Sequence, residues 1–88
     1  MAMESINPAT DERLLSYAPW KEAQLDQTLT LTARATPGWQ AMPFAGRARL
    51  LKNAAAELRG NAPHYAKLIT LEMGKLLKEA RAEVEKCA

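Results

Sequence analysis

Between Pro43 and Gly60 the chain repeats apolar residues at the period of an α-helix, and this constrains the fold more than any other feature. Phe44, Ala48, Leu51, Ala55 and Leu58 follow at steps of four, three, four and three, which keeps them in one stripe. Arg47, Arg49, Lys52 and Arg59 fall mostly beside or opposite it. Pro43 suits a first helical turn and Gly60 a C-terminal stop. Such a stripe needs a second layer to cover it. The chain has only 88 residues, enough for one small domain that buries about 60–65% of its unfolded surface.

The neighbouring segments carry the same period. Leu25, Leu29 and Ala33 predict a helix from about Lys21 to Ala35, with Pro37-Gly38 ending it. Thr28, Thr30 and Thr32 lower its intrinsic propensity, so packing must sustain it. After Gly60, Asn61 and Pro63 read as a capping side chain and a first-turn proline. The next helix turns Tyr65, Leu68, Ile69 and Met73 inward and stops at Gly74. The last sets Leu77, Ala80, Val84 and Cys87 on one face. Gly46, Gly60 and Gly74 are evenly spaced, but their flanking residues differ and no repeat is read from them.

The first residues read differently. Asn7-Pro8-Ala9-Thr10-Asp11 concentrates turn chemistry, with Pro8 fixing φ and Asp11 able to bond its own backbone or take the left-handed conformation. Leu14, Leu15 and Tyr17 then form a strand paired back on Ile6. The alternative is an extended arm, because an isolated two-stranded hairpin is marginal in water. The fold expected is mostly α: a hairpin or arm over 1–18, then about four helices over 19–88.

Composition narrows the class. Twelve basic and ten acidic residues are interleaved, leaving a net charge of +2, whereas a nucleic-acid module carries an unopposed basic face. No apolar run approaches the roughly 20 residues that span a bilayer. Met-Ala-Met-Glu-Ser has neither the basic patch nor the apolar segment of a secretory signal. Cys87 is the single cysteine, so an internal disulfide is impossible and a reducing, cytoplasmic setting is expected. Neither nucleic acid nor a membrane is expected as a partner.

Few residues invite chemistry. A reactive thiolate needs a lowered pKa and donors for the oxyanion it creates. Cys87 stands next to the last residue on an apolar helix face, which suits a core cysteine or an incidental free thiol. His64 and Cys87 together fall short of a zinc site, which takes three or four ligands; a solvated or lightly packed histidine is expected. The pairs Glu79/Glu83, Arg81/Glu85 and Lys75/Glu79 lie one helical turn apart and describe a solvated face, each favourable pair contributing about 0.2–0.5 kcal/mol. Trp20 and Trp39 read as core or interface anchors. A phosphate cradle needs closely spaced glycines, and no two here are nearer than eight residues. The residues thus assign no catalytic, cofactor-binding or metal-binding position.

The order of several short motifs adds a family. Ile6-Asn7-Pro8-Ala9-Thr10, Trp39 after Pro37-Gly38, Arg47 with Leu50 or Leu51 and then Leu58, Glu72-Met73-Gly74-Lys75 and Glu79-Ala80-Arg81-Ala82-Glu83-Val84 together resemble the opening of the NAD(P)-dependent aldehyde dehydrogenase superfamily. The pattern looks closest to its succinate-semialdehyde dehydrogenase-like members. The likeness runs from about Ser5 to Ala88. It implies the N-terminal portion of an α/β cofactor-binding domain, NAD or NADP as cofactor for the parent enzyme, and a homo-oligomeric parent. It also implies a cysteine nucleophile and hydride transfer carried by residues outside this sequence. Two positions depart from the pattern. Asp11 stands where glycine is common, and Leu76 where proline is frequent, which predicts a softer break between the last two helices.

With catalysis assigned elsewhere, the chain alone is expected to be structural. Its partner is expected to be the remainder of the dehydrogenase or a second copy. The competing reading is a small self-associating helical module. In either case the apolar faces around Leu51, Leu58, Ile69 and Val84 are expected to be partly exposed.

Overall fold

The computed structural model describes residues 2–88. It consists of an antiparallel hairpin of β1 (Met3–Ile6) and β2 (Arg13–Tyr17), followed by α1 (Glu22–Ala41), α2 (Phe44–Gly60), α3 (Ala62–Met73) and α4 (Leu77–Cys87). This is the mostly helical architecture expected.

The hairpin forms because its turn satisfies its own backbone. Asn7 Oδ1 accepts from the Ala9 N–H at 3.0 Å, and the Asn7 carbonyl accepts from the Asp11 N–H at 2.8 Å. Asp11 takes φ 58°, the left-handed region that only a short polar side chain or glycine enters cheaply. The departure at Asp11 therefore falls where glycine would relieve strain. Pairing runs Met3 to Tyr17, Glu4 to Ser16 and Ser5 to Leu15, then slips at Ile6, which meets Arg13.

The helix α1 overruns its expected end. It continues through Pro37 and Gly38 to Ala41. Proline there removes one N–H from the ladder and crowds the carbonyl four residues back, without having to end the helix. The stop comes from Pro43 instead. The residue before a proline is pushed out of the α region, and Met42 has φ −67°, ψ 132°. At the other end the Gln24 side chain reaches back to accept from the Lys21 N–H at 2.9 Å.

The remaining breaks are sharper. Pro63 occupies the first turn of α3, but Asn61 does not cap that helix with its side chain. Its Nδ2 turns back to donate to Glu57 Oε1 at 2.6 Å. Gly60 ends α2 as a helical residue, and the corner falls on Asn61 at φ −115°. Gly74 closes α3 in the left-handed conformation at φ 69°. A Cβ there would sit 3.0 Å from Pro8 Cγ, so glycine serves both the turn and the docking of the hairpin. Ser5 Oγ donates to Glu72 Oε1 at 2.8 Å and adds a second tie. The expected softening at Leu76 does not occur. Residues 74–76 are non-helical, and Leu76 at φ −59° already has a backbone that proline would accept.

The core is small and local. Ala66 of α3 and Ala80 and Val84 of α4 are buried, with Leu58, Ala62, Tyr65 and Ile69 packed around them. Alanines at the crossing let the two helix backbones approach closely. Several positions expected to face inward lie outside: Leu68, Met73 and Leu77 are exposed, as are Cys87 and the core-or-interface anchors Trp20 and Trp39. None of them belongs to the cluster where α3 meets α4. Of the faces expected to be open, Leu51 is 66% exposed, Leu58 and Ile69 are half-buried, and Val84 is enclosed.

The shape follows from this. The radius of gyration is 17.4 Å, where a compact chain of this length has about 12 Å. The accessible surface is 7437 Å², against about 5,100 Å² for a compact monomer of this mass. With extents of 47 × 35 × 14 Å the molecule is a thin layer with both faces open.

Candidate functional site

Two grooves collect the side chains singled out by sequence. The first, of about 800 Å³, lies along α4 and the loop before it, lined by Lys75, Glu79, Ala82, Glu83, Lys86 and Cys87. It forms because Gly74 turns the chain and places Lys75 beside the second turn of α4. Lys75 Nζ then meets Glu83 Oε2 at 2.6 Å. The expected pairing of Lys75 with Glu79 assumed one continuous helix; the break at residues 74–76 moves the ammonium to Glu83, with Glu79 contributing only through its charge.

This pairing decides what the groove can do. The hydrogen bond to Glu83 raises the Lys75 pKa above 10.5, its charge adds to the shift, and burial opposes it. A lysine held protonated is neither a base nor a nucleophile. Glu83 is engaged by the same contact, so Glu79 and Glu83 do not form an acid–base dyad. Of the two expectations for Cys87, a core cysteine or an incidental free thiol, the structure has the second, a free, exposed thiol at the rim. It sits one turn past Val84, beyond the reach of the α3 packing surface. Arg81 and Glu85 do not pair either. Glu85 Oε1 accepts from Arg59 Nε at 3.0 Å, joining the ends of α2 and α4. Exposed pairs like this contribute about 0.2–1 kcal/mol.

His64 lies on the surface as expected, its ring edge-on to Tyr65 with centroids 5.4 Å apart. Among the described residues no cluster of three or more His, Cys, Asp or Glu is arranged to hold a metal ion.

The glycines do not make a cradle for a dinucleotide. Gly38, Gly46 and Gly60 are inside helices. The space a cradle would need at Gly46 is taken by Met42, whose Cγ lies 3.0 Å from where a Cβ would be, and that at Gly74 by Pro8. These residues do not fit a nicotinamide dinucleotide.

The second groove was not expected. Trp39, Phe44, Arg47, Ala48 and Leu51 line about 320 Å³ where α1 hands over to α2. The extended Met42-Pro43 corner brings Trp39 beside the first turn of α2. Arg47 Nε is enclosed there without an acceptor. The sequence signal was available in part, since Trp39 and Phe44 flank the only proline that ends a helix here. What it lacked was the knowledge that α1 runs on to Ala41.

The chain is similar to known proteins over its whole length. The sequence model of the Aldehyde dehydrogenase family matches residues 1–88. A probable NADP-dependent succinate-semialdehyde dehydrogenase of Synechocystis sp. is 36% identical over 88 residues, which is 100% of this chain and 19% of that protein. A succinate semialdehyde dehydrogenase of Escherichia coli, named for NAD(P), is 41% identical over 85 residues, covering 96% of this chain and 18% of that one. A 3,6-anhydro-alpha-L-galactose dehydrogenase of Vibrio sp. is 36% identical over 83 residues, covering 94% and 17%. The chain thus spans about a fifth of the length of these relatives. It belongs to the aldehyde dehydrogenase family.

Proposed function

We propose that these residues form the opening of the cofactor-binding domain of an NAD(P)-dependent dehydrogenase that oxidises an aldehyde of the succinate-semialdehyde kind to its acid. Their part in that enzyme is scaffolding. They offer helix faces for the remainder of the dehydrogenase to cover, while cofactor binding and catalysis lie with residues outside this sequence. The assembled enzyme is a cytoplasmic homo-oligomer in this reading. The observation that carries it is the full-length match to relatives named as succinate-semialdehyde dehydrogenases. The open surface of the layer supports it. Arg47 Nε, enclosed without an acceptor, costs about 1–3 kcal/mol as it stands, a cost that a covering carboxylate or carbonyl would offset.

The test is a chimera. The corresponding segment of the Synechocystis relative is replaced by residues 1–88, and NADP reduction by succinate semialdehyde is followed. Activity within a few-fold of the parent is expected, together with none from the 88-residue chain alone. A soluble chimera of the parental oligomeric state with no activity would overturn the proposal. So would reduction of NAD(P) by the short chain.

A further inference from the structure

The hairpin has little of its own to hold it. Its strands are four and five residues long, and an isolated pair of this size is marginal in water. The register slips between Ser5 and Ile6, and the turn keeps Asp11 at φ 58°. The ion pair across the strands, Arg13 with Glu4 at 3.3 Å, is exposed and adds little. What the hairpin does have is a seat on the C-terminal end of α3. Ser5 is the residue of β1 that is not exposed, and its Oγ donates to Glu72 Oε1 at 2.8 Å. Pro8 lies over Gly74, where a Cβ would come within 3.0 Å of its Cγ. Glu72 stands in the last turn of α3, where the helix dipole disfavours a carboxylate. The helix does not profit from that charge, but the Ser5 hydroxyl does.

We propose that the hairpin is a strap whose strands stay paired only while it is docked on the end of α3, and that undocking releases residues 2–18 as an extended arm. Docking supplies what the strands lack. It sets Ser5 against a fixed acceptor and seats the turn at Pro8 on a position without a side chain. Both receiving positions exist only when α3 is formed and Gly74 has turned out of it at φ 69°. The packing of α3 against α4 therefore controls the order of a segment that has no residue in the buried cluster. Every contact involved lies within these residues, so the strap goes beyond the dehydrogenase reading and does not depend on it.

Amide hydrogen exchange in the full 88-residue chain tests it, read at the paired amides of β1 and β2. Glu72→Ala should speed exchange there about three- to tenfold, the worth of one hydrogen bond. The α3 amides should hold their rates, because that helix loses an unfavourably placed charge. Glu72→Gln should stay within about twofold of the parent, since its amide oxygen still accepts from Ser5. Val84→Asp, which disrupts the packing of α3 on α4, should remove the hairpin's protection altogether. A hairpin that stays protected in Val84→Asp overturns the strap. Strand exchange unchanged by Glu72→Ala, or as fast in Glu72→Gln as in Glu72→Ala, does so as well. Strand amides that exchange freely in the parent while those of α3 are slow overturn it too. None of these results bears on the chimera, so the two readings fail separately.

Discussion

The pair α3–α4 and the helix α1 use similar apolar residues to opposite effect. The helices α3 and α4 are 12 and 11 residues long and contain every buried side chain among the described residues. The helix α1 is 20 residues long, carries Leu25, Leu29, Leu31 and Trp39, and buries none of them. What separates the two regions is proximity. The break at residues 74–76 returns α4 onto α3, and alanines at the contact let their backbones close. The extended Met42-Pro43 corner leads α1 away from the rest of the chain. Hydrophobicity makes burial favourable, but a neighbour has to be within reach before it happens.

The contrast breaks most visibly under a charge. Val84→Asp places a carboxylate at the 3%-exposed centre of the packed pair, and a loss of about 4 kcal/mol, enough to unfold so small a core, is expected. Leu29→Asp in the open helix should leave the urea-unfolding stability of the α3–α4 unit within about 0.5 kcal/mol of the parent. Equal effects in denaturation followed by circular dichroism would show that α1 is coupled to the core after all.

A gain of helix should also stay local. Pro37→Ala restores an N–H inside α1 and is worth about 3 kcal/mol to that helix. Slower amide exchange across α1 with an unchanged unfolding midpoint for α3–α4 is the expected result. A shift of that midpoint would again join the two regions.

The third test concerns the hinge that makes the packed pair possible. Gly74→Ala forces a methyl group into φ 69° and against Pro8 Cγ, at a cost of about 1–2 kcal/mol from the backbone alone. The hairpin signals should move in an NMR spectrum together with those of α3, while α1 stays still.

The smallest effect is electrostatic. Because the Lys75 pKa is raised in the folded state, its contribution is fully present below the ordinary lysine value and is lost as pH rises through the folded one. The stability difference between the parent and Lys75→Met should therefore be constant from neutral pH to about 10 and fade at higher pH. A difference that faded below pH 9 would mean that the Lys75 pKa is not raised in the folded state.

Local chemistry made much of the fold legible. The turn from Asn7 to Asp11 is written in residues that satisfy their own backbone. Gly74 and Pro63 act on φ directly, so their neighbours do not change what they dictate. Pro37-Gly38 misled because a helix tolerates one missing hydrogen bond, whereas Pro43 acts on Met42 by steric exclusion. Asn61 offered a cap, but Glu57 one turn earlier competed for its amide. The Lys75–Glu83 pair was hidden because i,i+4 spacing holds only within an unbroken helix. The groove at Trp39 was hidden because it joins two elements whose boundary had been set too early.

By itself the sequence determined the kinds of element, most of their ends, and the family, since these depend on backbone preferences and on the order of short motifs. The tertiary structure alone decided which apolar residues are inside. Val84 is enclosed and Leu51 is not, although both sit on apolar stripes of the same period. A stripe states only that a helix has a face to cover. Which helix comes close enough to cover it depends on the path of the corners between them, and here those corners bring α4 back to α3 and leave α1 open.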